Sequence, residues 1–112
     1  MERNKDEEIT YEVVLKGDKY DCTLRNFFAD GQDLELRTDF PLPGGLAHAS
    51  KADILEKTFE NTIFFYIESY KRKSEKAEVS VEDKKIFLSV AEALETLNFE
   101  KMQKNLTRQK RP

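Results

Sequence analysis

Apolar and polar residues alternate along residues 9–40. Ile9, Tyr11, Val13 and Leu15, then Tyr20, Cys22 and Leu24, then Leu34, Leu36 and Phe40 fall on one side of an extended chain. Thr10, Glu12, Lys16, Asp21, Thr23, Arg25, Glu35, Arg37 and Asp39 fall on the other. A period of two predicts strands with one buried and one wet face. The wet face carries mixed charge and one aromatic, Phe27.

The turns fix the register. Gly17-Asp18 reads as a two-residue loop in which glycine supplies a positive φ. It sets Leu15 opposite Tyr20, Val13 opposite Cys22, Tyr11 opposite Leu24 and Ile9 opposite Asn26. Every one of these positions belongs to the apolar set except Asn26, so turn and pattern agree. Ala29-Asp30-Gly31 reads as a three-residue loop closing Phe28 against Gln32, with Leu24 opposite Leu36 and Arg25 opposite Glu35.

The segment Pro41-Leu42-Pro43-Gly44-Gly45 ends the sheet, because proline removes ladder donors. Ser50-Lys51-Ala52-Asp53 and Ser80-Val81-Glu82-Asp83 each read as a serine cap with an acid three residues on. A helix is expected over residues 51–75, closed by Lys71-Arg72-Lys73, whose charges suit a helix C-terminus. A second helix is expected to about Leu97, restarting over residues 98–106. A competing local pattern is a hairpin around Asp83-Lys84, but the helical period from Ile86 continues through Ala91–Leu97.

The expected fold is therefore α+β in two layers: a three-stranded antiparallel β-meander followed by a helical hairpin, βββαα. Residues 1–8 are expected to be disordered, 9–106 to form one domain and 107–112 to form a basic tail. A length of 112 residues suits one domain. Of the 22 acids all lie in residues 1–100, whereas residues 101–112 hold five of the 19 Lys and Arg and no acid. The polar start and single cysteine lead to an expectation of a reduced, cytoplasmic setting without a secretory signal. The longest apolar stretch, Ile63–Ile67, is too short for a membrane span.

On a helical wheel, Leu55, Phe59, Ile63, Tyr66, Ile67 and Tyr70 share the face expected to cover the sheet. Phe64 and Phe65 fall outside it. In the second helix Ile86, Val90, Ala93, Leu94 and Leu97 form the expected core stripe, while Leu88, Phe99, Met102 and Leu106 fall elsewhere. One small sheet cannot cover two helices on all sides, and surplus apolar surface marks interfaces. Phe64, Phe65, Phe99, Met102 and Leu106 are thus the candidate partner-binding residues, with a homodimer as the expected assembly.

Candidate chemistry is sparse. Cys22 lies mid-strand on the apolar side, where a thiol is inert. His48 precedes the first helix without a carboxylate or serine at a recognisable spacing. One His and one Cys fall short of a structural zinc site, and Asp30–Asp33 lacks the calcium-loop pattern. Pro43-Gly44-Gly45-Leu46 has no phosphate-loop order. No cofactor and no metal are expected. The reading these patterns support is a small non-enzymatic protein-interaction or regulatory module. An alternative is a nucleic-acid-associated protein contacting phosphates through Lys71, Arg72, Lys73, Arg108, Lys110 and Arg111. A weaker one is a small enzyme or ligand binder using His48.

Overall fold

The first three strands form where the alternation places them. In the computed structural model, which describes residues 6–109, β1 is Thr10–Lys16, β2 is Lys19–Ala29 and β3 is Gln32–Pro41. Helix α1 is Lys51–Ser74 and α2 is Val81–Glu95, so the competing hairpin over 78–90 does not form. A fourth strand, β4, is Gln103–Arg108. The sheet order is β3-β2-β1-β4, with β4 parallel to β1 and the other pairs antiparallel. The fold is α+β, but its sheet is not the simple three-stranded meander expected.

The helical restart over 98–106 is corrected. Asn98 caps a 3-10 turn at Phe99–Lys101 by accepting from the Glu100 amide at 3.2 Å. The chain then extends, and the Gln103 and Gln109 amides donate to the carbonyls of Ile9 and Leu15, each at 2.9 Å. Asp6–Glu8 form a 3-10 turn rather than a disordered lead; the rest of the expected disordered segment, residues 1–5, lies outside the described residues.

The first hairpin follows the expected register from Leu15–Tyr20 to Tyr11–Leu24, and Gly17 has φ 67°. The ladder ends at Thr10–Arg25, so the expected Ile9–Asn26 pair is absent from it. The second hairpin reaches Leu24–Leu36 by a different route. Its loop has two residues, Asp30 at φ 54° and Gly31 at φ 75°, both left-handed as a tight hairpin turn demands. The extra residue moves into β2 as a bulge between Leu24 and Phe27, where Asn26 adopts φ 62°. A bulge reverses the alternation beyond it, so Phe27 turns inward and is fully buried, not on the wet face.

The core lies between the sheet and the helices. Tyr11, Val13, Tyr20, Cys22, Leu24 and Phe27 from the sheet meet Ile54, Leu55, Phe59 and Tyr66 of α1 and Val90 and Leu94 of α2. The buried face of α1 also contains Thr58 and Thr62, whereas Ile63, Ile67 and Tyr70 are only half-buried. Ile86, expected in the core, is exposed. On the far face of the sheet Arg25 pairs with Glu12 and reaches Glu35 at 3.9 Å, and Lys16 pairs with Asp21.

The bulge makes a measurable demand on Asn26. A β-branched side chain is poorly tolerated at positive φ, whereas glycine is not. Asn26→Val should lower the unfolding free energy by about 1–2 kcal/mol, and Asn26→Gly should keep it within about 0.5 kcal/mol, both read from urea denaturation.

Candidate interaction surface

Each helix begins at a serine. The Ser50 and Ser80 hydroxyls accept from the Asp53 and Asp83 amides at 3.1 Å, fixing where each helix starts and hence which faces turn outward. Phe64 lies about 240° around α1 from Thr58, whose side chain is buried against the sheet. It is 67% exposed. Phe65 sits at the margin of the sheet-facing side. Its ring stands edge-on to Phe40 of β3 at 5.2 Å, yet it remains 47% exposed. Every other Phe and Tyr side chain is buried or half-buried. Val81, Ile86 and Leu88 add exposed apolar surface on α2.

The other three candidate partner residues sit elsewhere. Met102 is buried, 4% exposed. Phe99 stacks at 4.7 Å on Phe59 and at 6.3 Å from Tyr11. Leu106 is on β4, half-buried against the core and opposite Val13. These residues complete the core once the segment is a strand. An open groove of about 570 Å3 remains beside them, lined by Phe59, Leu97, Asn98 and Phe99 with Glu56, Glu60 and Glu100.

The candidate nucleic-acid contacts do not converge on one described surface. Lys71 bridges to Glu95 of α2 at 3.0 Å, and this partner raises the Lys71 pKa. The Lys73 ammonium lies 5.1 Å from the centre of the Tyr70 ring. Arg72 is exposed at the end of α1, whereas Arg108 lies on β4 and reaches the Ala47 carbonyl at 3.5 Å. Lys110 and Arg111 lie outside the described residues. The expected tail over residues 107–112 does not begin where the fold ends, because Thr107 and Arg108 are the last residues of β4.

The titratable groups of the core face α1. The Tyr11 hydroxyl donates to Thr58 Oγ1 at 2.9 Å, and Thr58 in turn donates to the Ile54 carbonyl at 2.7 Å. Cys22 Sγ donates to the Thr38 carbonyl at 3.6 Å and lies 3.2 Å from Thr62 Oγ1. Burial pushes the Cys22 thiol up to about 11 and raises Tyr11, Tyr20 and Tyr66 as well. The Tyr20 and Tyr66 hydroxyls are buried without a hydrogen-bond partner among the described residues. His48 is exposed in a 3-10 turn at Leu46–His48, far along the chain from these groups. Among the described residues no cluster of His, Cys, Asp or Glu is arranged to hold a metal, and no helix is long and apolar enough to cross a membrane.

Comparison with protein-family models, curated proteins and solved structures returns no match.

Two expectations follow from the buried polar groups. The folded chain retains a Cys22 proton that the unfolded chain releases from about pH 9, so this contribution to stability is full below that pH and is lost as pH rises toward about 11. Between pH 8 and pH 10, Cys22→Ala should lose about 1 kcal/mol less unfolding free energy than the parent, measured by urea titration. Tyr11→Phe should destabilise by about 1 kcal/mol through its lost hydrogen bond, whereas Tyr66→Phe, which removes an unpartnered hydroxyl, should be neutral or stabilising in thermal unfolding.

Proposed function

We propose that this chain is a small non-enzymatic interaction module that associates through the outer side of α1, in the first instance with a second copy of itself. The observation that carries the reading is the pair Phe64 and Phe65, the two exposed aromatics of a chain that otherwise covers its rings. A large apolar side chain held in water gains free energy when a partner covers it, by roughly 25 cal/mol for each Å2 removed. Aromatic side chains are enriched at the centres of protein interfaces. Leu88 and Val81 extend the apolar character onto the second helix. Cys22 is held in the core as a protonated thiol, consistent with a packing role.

Phe64 gives the cleaner test, because Phe65 also supports Phe40. Phe64→Glu should convert an oligomer to a monomer by light-scattering mass while changing stability by no more than about 0.5 kcal/mol, compared at a concentration low enough that the parent is dissociated. Phe65→Glu should weaken association as well and cost about 1 kcal/mol of stability through the lost ring contact. A monomeric parent chain, or an oligomer whose mass Phe64→Glu leaves unchanged, would overturn self-association through this face.

A further inference from the structure

The open edge of β3 offers a second surface, which shares Phe65 with the first but does not include Phe64. Hydrogen bonding alternates along an antiparallel ladder, and its phase is fixed here. Lys16 and Lys19 flank a two-residue turn and bond to one another across it, so Asp21 and Thr23 also bond toward β1. Tyr20, Cys22 and Leu24 therefore bond toward β3, to Phe40, Thr38 and Leu36. The Leu42 amide, bonded to the Asp18 carbonyl at 2.7 Å, continues that phase. Glu35, Arg37 and Asp39 accordingly turn their amides and carbonyls to the open edge. Pro41 shares this parity, so the donor it lacks is one that would have faced outward.

The side chains along the edge sort by face. Asp33, Glu35 and Asp39 stand on the wet face with one cation, Arg37. Leu34, Leu36 and Phe40 stand on the helical side but are only half-buried, with Phe65 beside Phe40. An added strand would meet acid on one side and uncovered apolar surface on the other. The strand carries a net charge of −2, so another copy of β3 laid against it would bring like charge to like charge. We infer that the β3 edge captures an extended segment of a partner protein in which basic residues alternate with apolar ones. Main-chain hydrogen bonds to Glu35, Arg37 and Asp39 provide attachment, and the two faces select the sequence.

The test uses the full chain and a labelled short peptide alternating lysine with valine, compared with the same peptide carrying glutamate for lysine, by fluorescence anisotropy. The lysine peptide should bind at least about tenfold more tightly, with affinity falling as salt is raised. Arg37→Pro removes an outward donor without removing a bond to β2, and should reduce binding at least about tenfold. It also deletes a cation, so simple attraction of a basic peptide to an acidic protein would instead strengthen. The pair Glu35→Lys with Asp39→Lys should reverse the preference toward the glutamate peptide, and serves if Arg37→Pro does not fold. Absence of lysine-peptide binding, equal affinity for both peptides, or binding that survives Arg37→Pro and does not reverse in the lysine pair would overturn the inference. So would an edge occupied by a second copy, shown by Arg37→Pro converting an oligomer to a monomer. Phe64→Glu should leave peptide capture intact, which separates this surface from the outer side of α1.

Discussion

β4 lies parallel to β1, and the rest of the packing is arranged around that pairing. With β2 on one side and β4 on the other, β1 is an interior strand. It supplies Tyr11, Val13 and Leu15 to the core, all buried. The return of the chain to this strand also carries Phe99 and Met102 across the helical side of the sheet. Tyr11, Phe59 and Phe99 form a cluster of rings with Tyr11 and Phe59 edge-on at 5.1 Å, so sheet, α1 and the final connection meet at one place. Such contacts between aromatic rings contribute beyond the area they bury.

The seam between α1 and the sheet is less oily than its burial suggests. Thr58 and Thr62 stand where aliphatic residues would fill the space, and each meets a polar atom from the sheet. An apolar contact tolerates sliding, but a hydroxyl bonded to Tyr11 tolerates little. A shift of α1 by one turn that set Ile54 in the place of Thr58 would leave the Tyr11 hydroxyl buried without its partner, at a cost of about 1–3 kcal/mol. The threonines thus fix the position of α1, and with it which aromatics reach solvent. The unpartnered Tyr20 and Tyr66 hydroxyls nearby offset part of that gain.

The meander and the caps were legible because several local signals agreed: alternation, turn glycines and serine-to-acid spacing. β4 was hidden by Lys104, which occupies an inward position between Met102 and Leu106. Its ammonium lies over the Phe99 ring, 4.6 Å from its centre, and donates to the carbonyls of Phe99 and Glu100 at 3.0 and 3.2 Å. A lysine in that place breaks strand alternation, and Met102 and Leu106, four apart, then read as helix. Phe27 was misplaced for a different reason. A three-residue loop and a two-residue loop with a bulge give the same Leu24–Leu36 pairing, and only the bulge reverses the face of Phe27. Of the candidate surface, Phe64 and Phe65 were visible as misfits on the wheel. The open β3 edge was not, because it depends on which strand ends up outermost.

The parallel pairing also sets a temporal order. The β1–β2 and β2–β3 hairpins and the two helices join residues close in sequence, whereas Gln103 must find Thr10 across nearly the whole chain. Closing so long a loop costs entropy before any contact repays it. Until β4 docks, β1 is an edge, hydrogen-bonded to β2 alone, with its other side open. During that interval the nascent sheet presents two unguarded borders, and the one beside β1, with its Val13-Val14 pair, is the more apolar of them. The docking of β4 covers that border as well as finishing the fold.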